Sequence, residues 1–169
     1  ATNAQHSAWG IAFNEAQRMA LKNADENQGL EAARAIAMLS YRNYQTYEQT
    51  QTDTDHRSDN FSASSYQNYQ GEKLRKRFSP ISYHYLSKAM DSHDLGRHYN
   101  GTDNALQRIK SKVISIGITS DILFPVAEQK LIAELTPNGA FYAIESLYGH
   151  DGFLLETKQI NQILKKELT

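Results

Sequence analysis

The sequence predicts an α/β protein in which parallel strands with flanking helices close the chain and a mostly helical region precedes them. Three observations carry this prediction. Residues 113–118, Val-Ile-Ser-Ile-Gly-Ile, are dominated by β-branched side chains, the pattern of a strand buried on both faces of a parallel sheet. Strand, helix, strand and helix then alternate to the C-terminus, the order of a βαβ unit with its outer helix. Upstream of Lys112 the hydrophobic periodicity is helical and no strand pattern is visible. The expected division is therefore 1–110 helical and 111–169 βαβα.

Each element has its own signal. Trp9, Phe13, Ala16 and Ala20 recur at spacings of three and four, so residues 8–24 read as a helix with these four on one face and Ser7 as its N-cap. Gly29 breaks the pattern, and residues 30–42 form a second helix. There Ala32, Ala33, Ala35 and Ala37 favour helix and let a neighbour approach closely. Residues 43–68 are rich in Gln, Thr, Asp and Ser and read as a surface excursion or partly disordered loop. Tyr41, Tyr44, Tyr47, Tyr66 and Tyr69 flank or punctuate it and are expected to be buried or half-buried at helix ends. Helix returns over 70–78 and, after Pro80, over 82–91; a Gly/Asn-rich turn at 97–102 leads to a short helix ending near Lys110.

Behind the strand at 113–118 come a helix over 126–135, a second strand over 140–144 and a last helix over 152–168. Phe153, Leu154, Ile160, Ile163 and Leu164 form the apolar stripe of that last helix. Two parallel strands make a poor sheet, because open edges expose unpaired backbone groups. The tail therefore calls for further strands from sequence outside this chain or from another chain.

Composition narrows the function. A chain of 169 residues with 40% hydrophobic and 22% charged content suits one domain or two small lobes with a real core. Its 18 basic and 19 acidic residues leave a net charge of −1, which removes the electrostatic motive for nucleic acid or an anionic membrane. The tyrosine-bearing polar run holds one arginine and no lysine, too little charge for a base-stacking surface. The absence of cysteine excludes disulfides, thiolate zinc sites and a cysteine nucleophile. No stretch approaches the roughly 18 apolar residues that span a bilayer, and residues 1–7 lack the basic and apolar regions of a signal peptide. A cytoplasmic protein is expected, with the triplets beginning at Asn60 and Asn100 unglycosylated. His93 and His98, with Asp91 and Asp94 nearby, do not lie on one helix face, so no metal site is expected. Lys73, Arg75, Lys76 and Arg77 read as a solvated helix face.

The chemistry lies at the strand ends, where open α/β sheets place their functional groups. Ser120 and Asp121 follow the first strand; Gly149, His150 and Asp151 follow the second. Taken singly, Asp121 is a turn or cap residue and His150 a loop residue. Together, an acid after one strand and a histidine after the next reproduce the order in which α/β-hydrolase triads close, with the serine earlier in the chain. The acid holds the imidazole tautomer, and the imidazole takes and returns the serine proton. No G-x-S-x-G elbow occurs in the 169 residues, so no serine here has the required strand–turn–helix setting.

Four runs carry a family resemblance: Gly10-Ile-Ala-Phe-Asn-Glu-Ala-Gln-Arg18-Met-Ala, Tyr69-Gln-Gly-Glu-Lys-Leu-Arg-Lys-Arg-Phe78, Lys88-Ala-Met-Asp-Ser-His-Asp-Leu-Gly-Arg97 and Tyr148-Gly-His-Asp-Gly-Phe-Leu-Leu-Glu156. In this order, and over nearly the whole chain, they resemble homoserine O-acetyltransferases. The resemblance implies an α/β-hydrolase fold with a helical lid inserted after a middle strand, of which this chain is the lid and the C-terminal portion. It implies that Asp121 and His150 match the triad acid and base, and that the nucleophilic serine lies before Ala1. Arg18 matches a lid arginine that faces the substrate carboxylate, and Asp151 an acid that binds the substrate amine. L-Homoserine and acetyl-CoA are the implied substrates, with acetyl-CoA a co-substrate and no permanently bound cofactor. A homodimer is implied, because lids of this kind form dimer contacts, and the chain alone is expected to be inactive. On the residues themselves two other readings stay open. One is a non-catalytic fragment whose lid packs against a partner. The other is an acyltransferase or hydrolase with a different acyl donor or acceptor, such as succinyl-CoA or serine.

Overall fold

The computed structural model describes residues 3–23 and 25–168. The chain divides into two compact units, Ala8–Ser92 and a second formed by Ala1–Ser7 with His93–Thr169. The division thus falls at Ser92 and His93, not at the expected 110–111. The physical reason is that the residues after Ser92 are tied to the α/β unit. Gln5 pairs antiparallel with Asp94, His6 N–H donates to the His93 carbonyl and Leu95 N–H to that of Ala4. Helix α6 (Thr102–Gln107) then packs on α7 (Val126–Leu135), with Leu106 buried.

The helical unit contains α1 (Ala8–Asn23), α2 (Glu26–Tyr41), α3 (Tyr44–Gln51), α4 (Ser62–Arg75) and α5 (Pro80–Asp91). Helix α2 is its centre, packed against α1, α4 and α5, with Leu30, Ala33, Ala37 and Met38 fully buried. Gly29 is inside α2 and does not break it. The Asp25 carboxylate caps the helix by accepting from the N–H groups of Asn27 and Gln28. The missing side chain at Gly29 lets α1 come close: a Cβ there would stand 3.0 Å from the Ala20 carbonyl oxygen and the Leu21 Cα.

Helix α1 covers the expected span as far as Asn23; the expected last residue, Ala24, lies outside the described residues. Its buried face is not the predicted one. Gly10, Asn14, Gln17 and Arg18 are buried, whereas Trp9 and Met19 are about half exposed. The inversion holds because the polar groups have partners on α5: Asn14 Nδ2 donates to Asp91 Oδ1 at 2.8 Å and Tyr83 Oη to Gln17 Oε1 at 2.6 Å.

The polar run at 43–68 is also more ordered than expected, since α3 and the start of α4 lie within it. Asn43 caps α3 through the Thr46 N–H, 2.8 Å away. Phe61 supplies no side-chain cap to α4, and the carboxylate of Asp53 does so from the preceding loop, accepting from the N–H and hydroxyl of Ser62. Of the five tyrosines, Tyr41, Tyr47 and Tyr66 are half-buried as expected; Tyr44 and Tyr69 are exposed.

In the α/β unit, β1 (Val113–Ile118) runs parallel to β2 (Gly139–Ile144), with Val113 opposite Gly139 and Ile118 opposite Ile144. Helix α7 connects them and covers the sheet, with Ala133 buried. The sheet has these two strands among the described residues. The expected single helix over 152–168 is two pieces, α8 (Gly152–Leu155) and α9 (Thr157–Leu168). The break is at Glu156, whose ψ of 42° leaves the helical range, and Gln159 there donates to the Glu145 carbonyl at the end of β2. No helix among the described residues is long and apolar enough to cross a membrane.

Candidate active site

Both strands end in loops that converge. After β1 the chain turns at Ser120 and Asp121; after β2 it turns at Ser146–Tyr148 and enters a 3-10 turn at Gly149–Asp151. Gly149 has φ of 60°, a left-handed conformation that glycine adopts without strain. Its N–H donates to Ser120 Oγ at 3.0 Å, so the residue before the acid is bonded to the residue before the histidine. Sequence reasoning named Ser120 only as a neighbour of Asp121. Its part as a clasp between the loops has no signature in the sequence.

The clasp brings Asp121 and His150 together. His150 Nδ1 lies 2.8 Å from Asp121 Oδ2, and both residues are buried. The other carboxylate oxygen, Oδ1, accepts from the N–H groups of Leu123 and Phe124 at 2.8 and 2.9 Å. An ionised carboxylate is acceptor only, so this hydrogen-bond set assigns the Nδ1–H tautomer to neutral His150. Nε2 is then the nitrogen that can take a proton from a hydroxyl. The rings of Phe124 and Phe153 flank the imidazole at centroid distances of 5.0 and 5.3 Å and hold its plane. Phe124 has no signal in the sequence and Phe153 reads there only as part of an apolar helix stripe, although both sit within three residues of the pair.

Asp151 follows His150 in the same turn, half-buried, and its side chain does not cap α8. Arg18 belongs to the helical unit, where it is not an exposed helix charge. It is 2% exposed and all three guanidinium nitrogens are engaged. Nε and Nη2 reach Glu15 Oε2 at 2.8 and 2.7 Å, Nη2 also reaches Asp91 Oδ2 at 2.6 Å, and Nη1 donates to Ser87 Oγ at 3.1 Å. The hydrogen bond from Arg18 holds the Glu15 carboxyl below its usual range. Three of the four residues weighed as metal ligands have structural uses: His93 Nε2 bonds the Asn3 carbonyl oxygen, Asp94 Oδ1 accepts from Gly96 N–H, and Asp91 is occupied by Arg18 and Asn14.

No family model matches the chain. Over 98% of its length it is 49% identical to a homoserine O-acetyltransferase of Cyclobacterium marinum, covering 50% of that protein. A crystal structure of homoserine O-acetyltransferase from Staphylococcus aureus aligns with 99% of the chain and 49% of its own, at a TM-score of 0.82 and 26% identity. An esterase structure aligns with 99% of the chain and 52% of its own, at a TM-score of 0.86; its 15% identity bears on the fold alone. The fold is that of part of an α/β-hydrolase. The chain spans about half the length of the curated relatives it matches.

Proposed function

We propose, from the premise that this chain is homologous to about half of homoserine O-acetyltransferase, that it supplies the acid and base of an acetyl transfer from acetyl-CoA to the hydroxyl of L-homoserine. The observation that carries this is the 2.8 Å contact between Asp121 and His150 at adjacent strand ends. The nucleophile in this reading is a serine from the part of the fold outside the 169 residues.

The cycle has two halves. His150 Nε2 removes the serine proton as the serine oxygen attacks the thioester carbonyl, while Asp121 steadies the imidazolium that forms. Collapse of the tetrahedral adduct breaks the C–S bond, and the leaving CoA sulfur takes the proton from His150. The homoserine hydroxyl then gives its proton to the same nitrogen and attacks the acetyl-serine. The serine leaves, its oxygen taking the proton back, and O-acetylhomoserine departs. No permanently bound cofactor is required. Arg18 receives the acceptor's carboxylate, to which a guanidinium fork is matched, and Asp151 receives its ammonium. In this reading the reaction runs in the cytoplasm, as a step toward methionine, in a homodimeric enzyme.

The test is release of CoA thiol from acetyl-CoA by the complete protein, with L-homoserine as acceptor. His150→Ala is expected to lower turnover by a factor of at least about 10³, as loss of a triad member does elsewhere. A variant with near-normal turnover would overturn the assignment. The 169-residue chain alone is expected to release no thiol. Release would place the nucleophile within it.

A further inference from the structure

The two carboxylates on Arg18 are held differently. Asp91 has a side chain 14% exposed, and its second oxygen is taken by Asn14 Nδ2 at 2.8 Å. Ser87, which accepts from Nη1, is itself fixed by donating to the His84 carbonyl at 2.8 Å. Removing Asp91 would take one acceptor from both a buried guanidinium and a buried amide, which is costly. Glu15 is one turn before Arg18 on α1, its side chain is 50% exposed, and its contacts with Arg18 use the single oxygen Oε2. Half in solvent already, that carboxylate returns to water more readily than the 14%-exposed carboxylate of Asp91.

We infer that Glu15 is an internal placeholder on the Nε–Nη2 edge of Arg18, with Asp91 the permanent counter-ion, so that a carboxylate-bearing acceptor binds by taking the place of Glu15. This rests on the reading of Arg18 as the carboxylate receptor. The guanidinium side chain is only 3% exposed, and Glu15 is the half-exposed member among the acceptors it contacts. Displacement exchanges one carboxylate for another at the same edge. Arg18 therefore stays neutralised whether or not ligand is present. A second outcome is selectivity: a neutral acceptor gains nothing from the exchange and leaves Glu15 where it is.

The experiment measures acceptor KM in the complete protein for wild type, Glu15→Gln, Glu15→Ala and Arg18→Lys. It uses L-homoserine and its carboxamide, which lacks the carboxylate. Removing the placeholder charge is expected to lower the homoserine KM by about two- to fivefold, the worth of an exposed ion pair. The carboxamide KM is expected not to move. Arg18→Lys is expected to raise the homoserine KM. If that rise is seen but both Glu15 variants leave the homoserine KM unchanged or raise it, the placeholder is wrong and the receptor reading survives. If Arg18→Lys leaves the homoserine KM unchanged, the receptor reading itself fails and the placeholder with it.

Discussion

Replacing Asp121 by asparagine separates the geometry of the pair from its charge. In the wild type Oδ1 accepts two backbone N–H bonds, from Leu123 and Phe124, and Oδ2 faces His150 Nδ1. An asparagine amide has only one orientation that suits two fixed N–H donors: its oxygen must point at them. Its NH₂ group then faces His150 and donates to Nδ1, which moves the imidazole hydrogen to Nε2. The nitrogen that must accept the hydroxyl proton is then already protonated. The expected loss is a factor of about 10⁴ in kcat, taken from the equivalent change in a serine protease triad, or about 5.5 kcal/mol in the barrier. The fold should survive, because the two backbone bonds remain and the lost charge-assisted bond is worth about 1–3 kcal/mol. The assay is thiol release from acetyl-CoA in the presence of L-homoserine, alongside a thermal melt of the same sample. A folded Asp121→Asn protein with turnover within tenfold of wild type would refute the tautomer argument.

Three further outcomes follow from packing and capping, each measured on the complete protein. Gly29→Ala adds a side chain 3.0 Å from backbone atoms of α1 that cannot rotate away. The melt should show a net loss of about 1–2 kcal/mol, because overpacking outweighs the gain in helix propensity; a stabilised protein would contradict the close approach. Gly139→Ala places a Cβ 2.0 Å from the Ala133 carbonyl oxygen, so β2 cannot keep its position behind α7. A lower melting temperature is expected, and an unchanged one would contradict the close approach of β2 to Ala133. Asp53 is held below its ordinary value of 3.8, chiefly by the hydroxyl of Ser62. Its contribution is therefore fully present above pH 3.8 and lost as pH falls through the lowered folded value. Hydrogen exchange at the first turn of α4 should be faster in Asp53→Ala than in wild type at neutral pH, with the difference shrinking in acid; equal rates at neutral pH would remove Asp53 as the cap.

In the α/β part the stretch from β1 to α7 was legible almost residue by residue, whereas the break of the last helix at Glu156 was not. The β-branched run gave β1 its bounds, and Pro125 marked the start of α7, because strand burial and proline geometry are local signals. The helical part was less so. Gly29 reads locally as a breaker, and only the tertiary approach of α1 shows why a glycine sits inside α2. The apolar stripe of α1 misled because α5 offers Asp91, Tyr83 and Ser87 to the polar face, and pairing across elements leaves no periodicity in the sequence. The Asp121 and His150 pairing was visible as a joint placement at two strand ends. The Ser120 clasp and the flanking Phe124 and Phe153 depend on loop conformation and were not.

The most direct measurement is the first half-reaction. The complete protein is mixed with acetyl-CoA and no acceptor, then digested and mapped by mass spectrometry. Prompt release of CoA is expected, with one acetyl group carried by a serine outside these 169 residues and both abolished in His150→Ala. CoA release that waits for homoserine, or an acetyl group on a residue of this chain, would contradict the proposed reaction.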